Sequence, residues 1–256
     1  MTAKSIIGRT ILSLALTLVG VLGLTAAPAV TAADEPTAAT GLADLSNLAN
    51  LSGLPPAIGP IEPRVMPQKG EDALYHQKWF VHSFMNLRED FATAKAHGKR
   101  FVVVIEQRGC TYCVKMQTKT LSQKYINDYV RKNFAVLQIN MWGDRAVTDF
   151  DGTRTTEKKL AARWGAIFTP TLIFFKDDLS GLDGKYGRPL EVVRLNQVDP
   201  NTFYDMFVWV KHKIYEKEPN FQRFHIGRIN QRLFMDGKKF GTDGRELKPG
   251  KQSRPG

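Results

Sequence analysis

Phe101-Val102-Val103-Val104-Ile105-Glu106-Gln107-Arg108-Gly109-Cys110-Thr111-Tyr112-Cys113 decides how this chain is read. The first five residues are a continuous apolar run of strand length, the pattern of a strand buried on both faces of a sheet. A four-residue connection follows, then two cysteines three positions apart, the only cysteines among 256 residues. A pair so spaced behind a buried strand points to a dithiol that cycles between reduced and oxidised forms. A purely structural staple fits less well, because so small a loop removes little entropy from the unfolded chain.

Only the thiolate attacks. At the start of a helix the anion is favoured by the dipole and by backbone N–H groups without intrahelical partners. Cys110 opens the expected helix and is the candidate nucleophile. Cys113 lies one turn along, faces inward and is the candidate resolving thiol. Arg108 either adds positive charge beside Cys110 or is an exposed bystander. Thr111 and Tyr112 are candidate substrate contacts, and the dipeptide they form tunes the reduction potential.

Outward from this stretch, helices and apolar strands alternate. Residues 84–97 predict a helix with Phe84, Leu87, Phe91 and Ala94 on one face and Gly98 as its stop. Ser122 is placed to cap a second helix that turns Ile126, Tyr129 and Val130 inward. Phe134–Asn140 reads as a strand and 142–155 as a polar loop. Thr155 or Thr156 caps a helix ending at Trp164-Gly165. Strands follow at Thr171–Phe175 and Glu191–Leu195, joined by a Gly-rich connection. Phe203, Met206, Phe207, Val210 and Ile214 mark an amphipathic helix, and Phe221 to Phe234 suggest one more. The order implies an α/β fold with a central sheet covered on both faces. Its first two strands should run parallel, because a helix joins them, and the last two can form a hairpin.

Thr169-Pro170 stands immediately before a strand, where proline needs a positional reason. A cis bond there would present backbone groups beside the sulfurs, where an extended peptide could pair with them. An ordinary turn proline is the other reading.

The N-terminus reads as an address. Lys4 and Arg9 precede an uncharged, mostly apolar stretch from Thr10 to Val30, and small residues follow. Residues 1–33 are expected to be a secretory signal cleaved after Ala32 or Ala33; the alternative is an uncleaved anchor. Residues 34–70 read as a Pro/Ala/Leu-rich linker, in which Leu42, Leu45, Leu48, Leu51 and Leu54 recur every three residues. Residues 71–217 read as the globular domain and 218–256 as a basic extension whose last dozen residues are expected to be disordered. The chain carries a formal charge of +11, and residues 211–256 hold twelve Lys or Arg against five Asp or Glu. The excess reads as solubilising charge on an exported protein. No nucleic-acid-binding motif accompanies it.

The strand–Cys-x-x-Cys–helix unit with Thr-Pro before a later strand resembles the thioredoxin superfamily over residues 80–217. Within that superfamily, Glu106-Gln107-x-Gly109-Cys110-x-Tyr112-Cys113, Trp142-Gly143-Asp144, Phe168-Thr169-Pro170-Thr171 and Glu218-Pro219-x-Phe221-Gln222-Arg223-Phe224 resemble periplasmic thioredoxin-like proteins of the bacterial sulfur-oxidation (Sox) group. The resemblance implies a thioredoxin-like fold, a central mixed sheet flanked by helices. It implies a periplasmic thiol–disulfide reductase with Cys110 and Cys113 as redox pair and Pro170 as cis-proline. It implies a disulfide-containing protein or sulfur carrier as substrate, and a membrane thiol transporter as electron donor. Two features depart from the superfamily pattern. Many thioredoxins bury a carboxylate in the strand six residues before the first cysteine; here that residue is Val104. Glu106 is close but at another register, so it is either a proton acceptor for Cys113 or a solvated or capping glutamate. The dipeptide is Thr-Tyr in place of Gly-Pro, which leaves reductase or oxidase direction open.

Other chemistries fit poorly. Zinc needs four ligands, there is no second cysteine pair, and His76, His82, His97, His212 and His225 lack metal spacing. Covalent haem is excluded because Val114 follows Cys113. Asp144, Asp149 and Asp151 do not make a calcium loop. No metal and no cofactor beyond the redox-active disulfide is expected. The reading from a different class is a redox-sensing or chaperone-like binding module on the same scaffold.

Overall fold

The computed structural model describes residues 53–179, 191–196 and 199–233, all within a compact unit of residues 41–256. The expected signal, the leucines from Leu42 to Leu51, the Gly-rich connection at 180–190 and the final dozen residues lie outside the described part.

A small antiparallel hairpin comes first, β1 (Gln68–Lys69) with β2 (Tyr75–His76). α1 (Leu87–Ala96) leads into β3 (Arg100–Glu106). α2 (Thr111–Lys115) widens without a break into a π-helical turn at Met116–Thr120. α3 (Lys124–Asn133) and β4 (Phe134–Asn140) follow. A second hairpin, β5 (Ala146–Thr148) and β6 (Arg154–Thr156), precedes α4 (Glu157–Arg163). β7 (Thr171–Phe175), β8 (Glu191–Leu195), α5 (Pro200–Lys211), a 3-10 turn and α6 (Phe221–Leu233) complete the order.

The main sheet has the order β4-β3-β7-β8. β3 and β4 are parallel, as the helical crossover between them requires. β7 is antiparallel to β3, and β8 antiparallel to β7, so the sheet is mixed. Every residue of β3 is buried. Its side chains alternate: Val102 and Val104 pack with Met116 of the π turn and with α3 and α5, while Phe101, Val103 and Ile105 pack with α1 and α4. Each such side chain contributes roughly 1.5–3 kcal/mol by leaving water, which is why this strand is the centre of the molecule. Arg100 is buried at its start, donating to the carbonyls of Val210 at 3.0 Å and Phe175 at 2.7 Å. β4 is the outer strand of the sheet on its side, and Val81 N–H caps it by donating to Val136 C=O at 2.9 Å.

Four readings are corrected. Phe84 does not belong to the inward face of α1; it is fully exposed. The helix begins only at Leu87, because Met85 has φ +64° and donates its N–H to Ser83 Oγ, forming a turn that places Met85 inside instead. Ser122 does not cap α3; Gln123 occupies that position, and the buried Ser122 hydroxyl donates to Thr118 C=O. The polar loop at 142–155 contains the β5–β6 hairpin, which buries Val147. The solubilising charge of the C-terminal region is not all surface charge. Arg228 and Arg232 are buried and both bind the fully buried Asp205.

Those arginines also fasten residues from the expected linker. Arg228 donates to the carbonyls of Pro55 and Pro56, and Arg232 to that of Ala57. Farther along, Lys124 and Tyr125 donate their N–H groups to Ile61 and Pro60.

Candidate redox site

Cys110 and Cys113 form a disulfide, with their Cα atoms 5.2 Å apart. Gly109 turns the chain out of β3 with φ +79°, a conformation glycine adopts without the cost a Cβ would impose. Cys110 then takes the N-cap position of α2. Its Sγ accepts the backbone N–H of Cys113 at 3.0 Å. The sulfur thus stands where a capping oxygen usually does, satisfying a donor that the helix start leaves open. Cys110 is 9% exposed and Cys113 3%, so both cysteines are largely covered, the outer one slightly less.

The Thr169–Pro170 peptide is cis. Thr169 C=O lies 3.4 Å from Cys110 Sγ, so the proline turn and the disulfide meet although about sixty residues separate them. Asn196 pins that turn, donating from Nδ2 to Pro170 C=O at 3.2 Å and to Thr171 Oγ1 at 2.6 Å. Thr171 in turn donates to Phe168 C=O at 2.7 Å.

The rim is apolar. Tyr112, Trp142, Ile167 and Phe168 are all exposed. Trp142 is held by its indole N–H, which donates to Gln107 Oε1 at 2.5 Å, and Gln107 C=O accepts the N–H of Cys110 at 3.3 Å. Lys158 lies over the Trp142 ring and Lys115 over Tyr112. Thr111 and Arg108 are exposed on either side of Cys110.

Glu106 is neither solvated nor a cap. It is 1% exposed at the end of β3. Its Oε1 accepts from Gln117 Nε2 at 2.6 Å and from Gln138 Nε2 at 3.2 Å. Burial pushes the carboxyl up to about 8; the Gln117 and Gln138 donors pull the other way, and Asp72 adds to the rise. Gln117 lies one turn beyond Cys113 on the π turn and is completely buried. Sequence reasoning missed Gln117, Gln138 and Asn196, since nothing local distinguishes them. The exposed Trp142 was legible as part of a motif but not as a rim residue.

Among the described residues no group of three or more His, Cys, Asp or Glu side chains is placed to hold a metal ion. No helix among them is long and apolar enough to cross a membrane.

A mixed four-stranded sheet with helices on both faces, a disulfide at the start of the helix after its central strand, and a cis-proline turn against the outer sulfur define a thioredoxin-like fold. Residues 87–183 match the family described as Thioredoxin-like domain. No curated protein matches the chain. Among solved structures it is similar to a thioredoxin-fold protein from Helicobacter pylori, at 19% identity and a TM-score of 0.40, over 52% of this chain and 86% of that one. It is similar to a thioredoxin from Thermus thermophilus at 24% identity and a TM-score of 0.35, over 50% and 83%. A disulphide isomerase from Xylella fastidiosa Temecula1 aligns at 17% identity and a TM-score of 0.31, over 52% and 88%. The fold assignment rests on the topology and the family match.

Proposed function

We propose that this protein is an exported thiol–disulfide oxidoreductase that reduces disulfides in proteins or sulfur carriers. The observation that carries this is the sulfur pair at the start of α2, with the Cys113 N–H on Cys110 Sγ and the Thr169 carbonyl beside it. In the reduced protein, the Cys110 thiolate attacks one sulfur of the partner disulfide. That S–S bond breaks, a Cys110–partner bond forms, and the first partner thiol leaves. Cys113 then loses its proton and attacks Cys110 Sγ. The mixed disulfide breaks, Cys110–Cys113 forms, and the partner departs as a dithiol, two electrons richer. The buried Glu106 is the group suited to take the Cys113 proton, because its raised pKa lets it gain and lose one near neutral pH. The turn at Thr169-Pro170 offers backbone groups to an extended substrate segment, and Thr111 and Tyr112 meet it from the other side.

The reading includes location and partners. The N-terminal sequence supports export to the periplasm, and the motif resemblance supports a place among sulfur-oxidation proteins, with a membrane thiol transporter returning electrons to the dithiol. No metal or organic cofactor takes part. The test is trapping: Cys113→Ser should accumulate mixed disulfides through Cys110, and Cys110→Ser should abolish insulin reduction. Trapping through position 113 in Cys110→Ser would reverse the roles. Partner binding without turnover for any thiol donor would establish a binding module instead.

A further inference from the structure

Two amides from different elements hold Glu106, and each reaches somewhere else. Gln117 stands four residues after Cys113, so the two lie on one face of the helix. While Gln117 Nε2 donates to Glu106, its own Oε1 is buried and has no partner. Leaving such an acceptor unmet is costly, because it has given up its water and gained no donor. In the disulfide form Cys113 has no proton to offer it; reduction creates an S–H one helical turn away. Gln138, on β4, donates from Nε2 to Glu106 and also to Tyr75 C=O. It forms part of the wall of a polar pocket of about 350 Å³ that Asp72, His76, Gln77 and Arg145 also line. Gln77 Nε2, at the same pocket, is buried without a partner. Polar walls with unmet donors are where proteins keep water.

We propose that Gln117 and Gln138 are positioning residues that hold Glu106 as the proton store of Cys113, with the pocket behind Gln138 as its solvent side. This rests on the oxidoreductase reading above. In the release step Glu106 takes the proton from Cys113 S–H as that sulfur bonds to Cys110. The Cys110–partner bond breaks, and the departing partner thiolate takes its proton from water. Glu106 then returns its proton to water in the pocket. Asp72 is the acid that opposes ionisation of Glu106. Of the other charged or titratable groups at the pocket, Glu71 and His76 belong to the β1–β2 hairpin, His82 lies between β2 and α1, and Arg145 is tied to Glu157 at 2.6 Å. From the helix the carboxyl meets the uncharged Gln117.

The test uses ¹³C-labelled glutamate in the full chain, read by NMR against pH, in the oxidised and the reduced protein. Wild type is compared with Gln117→Met and Gln138→Met, and with Cys110-dependent reduction of an aromatic disulfide across the same pH range. Loss of either amide donor should raise the Glu106 midpoint, by about one pH unit for Gln117. The inflection in turnover should move with it, and the wild-type midpoint should differ between the two redox states. Unchanged midpoints, or a turnover profile that does not follow them, would overturn the proposal while leaving the dithiol reading intact. A wild type with no Cys110-dependent reduction would remove the oxidoreductase reading, and the redox dependence of the Glu106 midpoint would still decide this one. If Gln117→Met does not fold, Gln138→Met and that redox dependence decide it.

Discussion

The backbone N–H of Cys113 donates to Sγ of Cys110 at 3.0 Å, so the inner cysteine's own amide caps the outer sulfur. The contact favours a negative charge on sulfur 110 in the reduced protein. Reduced protein treated with iodoacetamide at pH 7 should therefore be alkylated first at Cys110, at least about tenfold faster than at Cys113 in the Cys110→Ser variant. Peptide mapping after brief exposure reads this directly. Equal labelling of the two positions would remove the basis for their separate roles.

Glu106 makes the stability of the fold depend on pH. Its folded pKa, about 8, lies above the ordinary 4.5, so between those values the native state holds a proton that the unfolded state has lost. The contribution is fully present below about pH 4.5 and declines as pH rises towards 8. Integrated, it amounts to a few kcal/mol. Glu106→Gln should flatten this slope and make the protein more resistant to urea than wild type at pH 8.5. Denaturation midpoints at pH 5, 7 and 8.5 measure it; parallel curves for the two proteins would show that the carboxyl does not titrate in this range.

Asp205 sits at the junction of α5 and α6. Burial pushes its carboxyl up, but the hydrogen bonds from His225 and Arg232 and the two guanidinium charges outweigh this and hold it below its ordinary value. Asp205→Ala would leave Arg228 and Arg232 buried without their anion. A loss of roughly 3–5 kcal/mol is expected, read as a lower urea midpoint. Hydrogen exchange should quicken in residues 55–57 and 221–233, which the arginines hold together. A change under about 1 kcal/mol would mean that water reaches the cluster.

Trp142 and Phe168 belong to the exposed rim, not to the sulfur chemistry. Trp142→Ala and Phe168→Ala should each raise KM for a protein disulfide several-fold, since a buried aromatic contact contributes roughly 1–3 kcal/mol at an interface. Reduction of a small aromatic disulfide should change little. Equal losses on both substrates would instead point to distortion of the turn that carries Cys110.

The sulfur pair, the buried strand before it and the parallel order of β3 and β4 were legible because each is written in adjacent residues. Phe101–Ile105 has no polar position, and Cys110 and Cys113 need only a helix start to explain their spacing. Glu106 was not legible as a buried group. Its partners Gln117 and Gln138 come from other elements, and a charged residue at a strand end normally faces water. Phe84 continued the apolar period of α1, but the turn at Met85 interrupts the helix register, and a positive φ at methionine has no sequence signal. Arg228 and Arg232 looked like surface charge because their anion, Asp205, lies in a different helix. Partner identity across long separations failed throughout, whereas local pattern held in the strands and failed where a turn broke the helix register, as at Phe84.

The border of the sheet at β4 has a consequence of another kind. Val136 C=O is taken by Val81, Gln138 C=O by Arg145, and Asn140 N–H by Glu157. A foreign strand arriving at this border would find its ladder positions occupied, in alternation, by the protein's own groups. That denies it a template for cross-chain pairing along this side.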